Sequence, residues 1–267
     1  MEKRLEGKVA IVSGAGQTPG DTIGNGRAMA VLFARAGAKV MLVDRRLEAA
    51  EETQAIIDNE GGECFAFSTD VTRSEDCRRM ADKCVETYGK IDILVNNVGI
   101  GGGNDYSPVQ LSEEEWDSIF NTNIKSAFLT CKHVLPFMEK QGSGAILNIS
   151  SVAAIAGTNM VAYKSSKAAV NALTHSLAVK YAKKGVRVNC IMPGLMNTPM
   201  AIEGISSRGR ISKQDLIEQR NQRVPLKGGM GSGWDTAYAA LFLCSDEAKF
   251  ITGVIIPVDG GQSTLVG

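Results

Sequence analysis

Tyr163 and Lys167 stand four positions apart in YKSSK, at the start of a stretch with helical spacing. Residues at i and i+4 share one helical face. A phenol titrates near 10 when unperturbed, and a close ammonium favours the phenolate, so such a pair can act as an acid or base nearer neutrality. Taken alone, the same spacing also fits a solvated helix edge.

A second group with chemistry in it is SGAGQTPGDTIGNGRA, residues 13–28. A dinucleotide-binding turn packs its glycines closely between a strand and a helix, because the backbone must approach a pyrophosphate. Here Gly14 and Gly16 are separated from Gly24 and Gly26 by a polar run. The setting is nevertheless right, with a strong strand before the turn and a strong helix, GRAMAVLFARAGA, after it. The next apolar strand ends at Asp44, where a carboxylate can accept both ribose hydroxyls of an adenosine. Turn and carboxylate together predict a dinucleotide site.

Positioning these groups requires a sheet. Short apolar runs, KVAIVSG, AKVMLVD, ECFAFSTD, IDILVNN, GAILNISS, VRVNCIM and GVIIPVD, alternate with amphipathic stretches through most of the chain. Most of these runs are too continuously apolar for a strand with one wet face. The pattern predicts an α/β, Rossmann-type doubly wound parallel sheet of about seven strands with helices on both faces. With no repeat or long linker, residues 1–267 are expected to form a single dinucleotide-binding catalytic domain. Residues 196–224 break the alternation. They follow the strand VRVNCIM, and ligands bind beyond the carboxyl ends of such strands, so this segment is expected to cover the substrate.

From residues 8 to 261 the chain resembles the short-chain dehydrogenase/reductase family. The resemblance is carried by the glycine turn, Asp70-Val71, NNVG (96–99), Asn123 in NTNIKSAF, NISS (148–151), YKSSK (163–167), PGLMNTP (193–199) and VDGG (258–261). It implies that Tyr163 exchanges a proton with the substrate oxygen, and that Lys167 lowers the tyrosine pKa and holds the nicotinamide ribose. A serine ending NISS hydrogen-bonds the reacting oxygen, and Asn123 holds a water linking Lys167 to solvent. It places Gly14, Gly16, Gly24, Asn25 and Gly26 at the phosphates, Asp44 at the adenosine ribose, and Asp70 and Val71 at the adenine. Asn97 and Gly99 form the wall beside that ribose, while Pro193 and Thr198 lie at the nicotinamide end. The implied cofactor is NAD, with NADP as the alternative because Arg45 and Arg46 follow Asp44. The implied assembly is a homotetramer.

Three departures from the family pattern stand out. Residues 18–23 are an insertion between the glycines, expected to arch away from the phosphates with Asp21 in solvent. Val98 replaces the usual alanine of NNVG. The serine spacing fits either Ser150, counting back from Tyr163, or Ser151, matching the strand; Ser151 is preferred, because shifting a strand by one residue inverts its faces.

The remaining composition narrows the class. Lysine plus arginine and aspartate plus glutamate each number 29, so no basic excess points to nucleic acid or an anionic membrane. The six cysteines form no C-x-x-C pair and are expected to be reduced packing residues, with no metal site. No signal-like or membrane-spanning run is present, so a cytoplasmic location is expected. His133 and His175 are expected to be structural or surface groups. Met192, Met196 and Met200, with Ile202 and Ile205, are expected to line an apolar substrate pocket, and Arg208, Arg210 and Lys213 would admit an anionic group. The function expected is hydride transfer between NAD and a secondary alcohol or ketone. The alternatives are an NADPH-dependent ketoreductase and a dinucleotide-binding sensor without turnover.

Overall fold

The computed structural model describes residues 3–207, 209 and 211–265. The chain begins with β1 (Val9–Ser13), α1 (Asn25–Arg35), β2 (Lys39–Asp44), α2 (Leu47–Asn59), β3 (Cys64–Ser68), α3 (Ser74–Tyr88) and β4 (Ile93–Asn96). It continues through α4 (Glu113–Phe120), α5 (Ser126–Gln141), β5 (Gly144–Ile149), α6 (Val161–Tyr181) and β6 (Val186–Pro193). A short parallel pair, β7 (Met196–Asn197) and β8 (Gly231–Ser232), brackets α7 (Pro199–Ser206) and α8 (Lys213–Asn221). Helix α9 (Gly233–Cys244) and β9 (Ile255–Val258) complete the fold.

All seven predicted strands pair in one parallel sheet of order β3-β2-β1-β4-β5-β6-β9. Because side chains alternate across a strand, β1 sends Ala10 and Val12 to one core and Val9 and Ile11 to the other. The first core is closed by α1 and α9, the second by α3, α5 and α6. Strand order reverses between β1 and β4, whose neighbours run outward in opposite directions. The crevice beyond the carboxyl ends at that reversal is where such sheets bind ligands. Both the glycine turn after β1 and the NNVG segment after β4 open there.

After Ser112 the chain forms one long helical rod interrupted by a π-turn, residues Asn121–Lys125, that joins α4 to α5. Asn123 lies in that turn and is buried. Ser112 caps α4 by accepting from the Glu115 amide (3.1 Å).

Candidate active site

The glycine turn has no room for side chains. A Cβ on Gly26 would lie 1.8 Å from the Gly14 carbonyl oxygen, and one on Gly16 would lie 2.6 Å from the Ala49 Cβ. Gly14 adopts φ +68°, a conformation that favours glycine. Gly24, at the N-cap of α1, has no side chain to cap the first amides. Bare backbone at a helix N-terminus is a receptacle for phosphate, so the turn fits the pyrophosphate of a dinucleotide. Asn25 opens the helix with a buried Oδ1 that has no partner. From within, Asn97 Nδ2 donates to the Gly14 carbonyl (3.1 Å). Asn97 thus buttresses the turn itself.

At the end of β2, Asp44 Oδ2 accepts from the Gly16 amide and Oδ1 from the Arg46 amide, each at 3.1 Å. Both oxygens retain a lone pair for a ribose hydroxyl. Arg46 Nη2 donates to the Gln17 carbonyl (2.8 Å). Asp70 turns back on its own loop, accepting from the Thr72 amide (3.0 Å) and hydroxyl (2.6 Å), and Val71 is buried in the second core.

Tyr163, Lys167 and Ser151 come together where β5 ends and α6 begins. The Ser151 hydroxyl accepts from the Ala153 amide (3.1 Å) and acts on the Tyr163 phenol, favouring its charged form. Ser150 points the other way, its hydroxyl donating to the Lys167 carbonyl (2.8 Å). Lys167 Nζ lies 5.8 Å from the centre of the tyrosine ring and donates to the Ile149 carbonyl (2.9 Å). Burial lowers the Lys167 pKa from 10.5 to about 8. Burial also raises the Tyr163 pKa, with the Ser151 hydrogen bond acting against it. The expected downward shift of the phenol is therefore not seen in the chain by itself, because desolvation opposes the charged form of both groups.

Gly99 makes this approach possible, since a Cβ there would lie 2.9 Å from Lys167 Nζ and 3.4 Å from Asn123 Oδ1. The Asn123 amide group donates to the Ile100 carbonyl (2.9 Å) and Ser166 hydroxyl (3.0 Å), while its Oδ1 accepts from the Ile100 amide (2.7 Å). Beneath the site, Asn96 donates to Asn148 and Asn148 to Thr174, each at 2.9 Å, in a buried polar chain.

This arrangement has relatives. The family model described as enoyl-(acyl carrier protein) reductase matches residues 21–263. A 7α-hydroxysteroid dehydrogenase of Escherichia coli K12 is 38% identical over 259 residues, covering 97% of this chain and 95% of the relative. A crystal structure described as a short-chain dehydrogenase/reductase of Burkholderia xenovorans superposes with a TM-score of 0.90 at 44% identity, covering 99% of each chain. The chain belongs to the short-chain dehydrogenase/reductase family. A 7α-hydroxysteroid dehydrogenase solved with NADH and 7-oxo glycochenodeoxycholic acid superposes with a TM-score of 0.86 at 36% identity, covering 97% of this chain and 96% of that one. Membership makes this a nicotinamide dinucleotide-dependent oxidoreductase.

Where the chain departs from the family, the insertion makes contacts the sequence did not suggest. Gln17 closes its base, Nε2 donating to the Thr22 carbonyl (3.2 Å) and Oε1 accepting from the Gly24 amide (2.9 Å). The Asp21 side chain is 85% exposed but pairs with Lys213 Nζ at 2.5 Å. Lys213 also holds Glu203 (2.9 Å), and a Cβ on Gly20 would lie 2.9 Å from the Pro199 Cβ. The insertion therefore rests on α7 and α8.

The apolar side chains expected to line a substrate pocket divide between core and surface. Met192 packs with Val152 and Ala154 in a small core, and Met196 and Ile202 are buried. Met200 is exposed, and Ile205 is half-buried. Met192 is taken up by packing on β6, Met196 on β7 and Ile202 on α7, while Met200 faces outward. Of the expected cationic groups, Lys213 is paired with two carboxylates, and Arg208 and Arg210 lie outside the described residues. Thr198 is buried just before α7, and Pro193 pairs with Val258 at the end of β6. Val98 packs at the rim of the second core with its Cγ2 beside Gly14. The cysteines are free, and five of them are buried. His175 is exposed, and His133 Nε2 hydrogen-bonds the Ser74 hydroxyl (2.9 Å). No helix among the described residues is long and apolar enough to cross a membrane.

Proposed function

We propose that this chain transfers a hydride between NAD and a secondary alcohol or ketone, with Tyr163 exchanging the proton with the substrate oxygen. When bound, the nicotinamide supplies or accepts the hydride. The observation that carries the reading is the Lys167 ammonium 5.8 Å from the centre of the Tyr163 ring, held there by the Ile149 carbonyl, with Ser151 acting on the same phenol. In the reducing direction Tyr163, kept neutral by burial, donates its proton while Ser151 orients the oxygen that receives it. In the oxidising direction Lys167 favours the phenolate that takes the proton back. Below pH 8 this lysine is mostly charged even with its lowered pKa.

Preference for NAD is supported by Asp44, whose carboxylate is fixed between two amides and would repel a 2′-phosphate. Arg46, the candidate phosphate ligand, is taken up by the Gln17 carbonyl. A homotetramer is supported by exposed apolar side chains on both sides of the sheet, Phe128 and Val179 on α5 and α6, and Tyr238 and Phe242 on α9. Two such faces suit two different two-fold contacts. A cytoplasmic location belongs to the same reading.

The test is a panel of alcohols and ketones assayed with NAD, NADH, NADP and NADPH, on wild type and Tyr163→Phe. The expected result is turnover with the NAD pair, lost by about a hundredfold or more in Tyr163→Phe while NAD affinity is unchanged. Retention of more than about a hundredth of the activity would refute the role of Tyr163. Preference for NADP would turn the reading to a ketoreductase with Arg45 and Arg46 at the phosphate, and binding without turnover on any substrate would point to a sensor.

A further inference from the structure

We propose that Asp105 is the positioning residue for Tyr163, a role that rests on the reading of that tyrosine as the proton donor. Asp105 is 1% exposed. Its Oδ1 accepts from the Ala162 amide at 2.6 Å and its Oδ2 from the Tyr163 amide at 2.8 Å. Its own carbonyl accepts from the Val161 amide at 3.3 Å. One residue, 57 positions upstream of Ala162, thereby takes all three of the first amides of α6.

Those amides have no partner within a helix and need one. The local N-cap, Met160, supplies no side-chain bond. A hydroxyl or amide cap satisfies one or two donors. A carboxylate accepts both and complements the positive end of the helix dipole.

Asp105 is itself held by the segment that leaves β4. Ile100 is tied through both backbone groups to Asn123 in the π-turn. Glu115 Oε1, from α4, accepts from the Gly103 amide (2.6 Å) and the Asn104 amide (3.2 Å). The wall beside the cofactor crevice, the π-turn and the tyrosine turn are thus connected through one short segment ending in Asp105. Tyr163 is the third residue of α6, so its place opposite Ser151 depends on this first turn. Lys167 lies a turn further on and has its own anchor on the Ile149 carbonyl. Loss of Asp105 should therefore displace the phenol more than the lysine or the glycine turn.

The experiment measures kcat, KM for the alcohol, NAD affinity and Tm for Asp105→Ala and Asp105→Asn, well below their melting temperatures, beside Tyr163→Phe. In Asp105→Ala, kcat should fall roughly tenfold to a hundredfold, the scale of a misplaced reacting group. NAD affinity should stay within about threefold of wild type, and Asp105→Asn, which keeps an acceptor oxygen, should recover part of the loss. A folded Asp105→Ala with kcat within about twofold of wild type overturns the proposal. So does a kcat loss matched by an equal loss of NAD affinity, which would mark general loosening. If the alanine variant does not fold, Asp105→Asn carries the test, and an unchanged kcat there overturns the proposal. Activity retained by Tyr163→Phe instead overturns the tyrosine reading and this one with it.

Discussion

Two clusters of charge flank the candidate site, one around the first turns of α6 and one where the insertion meets α7 and α8. In the first, Asp105 and Lys167 are 1% and 3% exposed, and each bonds backbone groups that are themselves inside the protein. In the second, the Asp21 and Lys213 side chains are 85% and 39% exposed. Removing a partner from the buried cluster strands a donor or acceptor away from water, at about 1–3 kcal/mol. Removing one from the exposed cluster lets water replace it, and salt already screens the pair. Similar residue types at similar distances thus carry different weight. The buried cluster is expected to govern turnover, and the exposed one to trim it.

The sharpest test within the buried cluster separates two adjacent hydroxyls. Ser151→Ala should lower kcat by about a hundredfold or more, the scale of losing one donor to a reacting oxygen. Ser150→Ala should leave kcat nearly intact and lower stability by about 1 kcal/mol, because it removes one buried hydrogen bond to the Lys167 carbonyl. Steady-state kinetics with denaturant melts on both variants will show which is which. The reverse ranking would give Ser150 the oxygen-binding role.

Lys167 tests the same cluster through pH. Its folded pKa of about 8 lies below its unfolded value of 10.5, so the folded state sheds the proton first. The cost of burying the charge, about 3 kcal/mol at 1.36 kcal/mol per pKa unit, is fully present below pH 8 and is lifted as pH rises toward 10.5. Buried thiols raised from 9 to about 12, among them Cys77 and Cys244, act in the opposite sense above pH 9. Subtracting the stability of Lys167→Met, which keeps the thiols, isolates the lysine. The wild type should gain on this variant between pH 8 and 10; a flat difference would mean that Lys167 is neutral or well solvated in the folded protein.

How much of this is legible in the sequence follows from the same contrast. The inner strands β1, β2, β4, β5 and β6 are readable because a strand covered on both faces must be apolar at nearly every position. Helix α9 is hidden for another reason: its exposed face carries Tyr238 and Phe242, so no polar stripe marks the period of GWDTAYAALFLC. Tyr163 and Lys167 are visible because one helical turn joins them. Asp105 is not, since it acts across 57 positions from a glycine-rich loop with no period of its own. Gln17 closes the insertion through a side chain whose partners only the folded loop brings near. The two-residue strands β7 and β8 are too short to leave a pattern.

The insertion should yield the smallest effect. Gly14, Gly16 and Gly26 are constrained by Asn97, Ala49 and each other, and none of these contacts comes from residues 18–23. Anion binding there depends on backbone donors and the helix dipole, which a deletion of 18–23 leaves in place. Such a deletion removes Asp21 from Lys213 and Gly20 from Pro199, but leaves Lys213 its second partner, Glu203. NAD affinity of the deletion variant, measured by titration calorimetry, should therefore fall by less than about tenfold. The KM for the alcohol should rise by a few fold, because the covering segment loses one support, and Asp21→Asn should reproduce part of that rise at low salt but not at high salt. A loss of NAD affinity of about a hundredfold or more would mean that the insertion itself touches the dinucleotide, and would move residues 18–23 from the rim of the site into it.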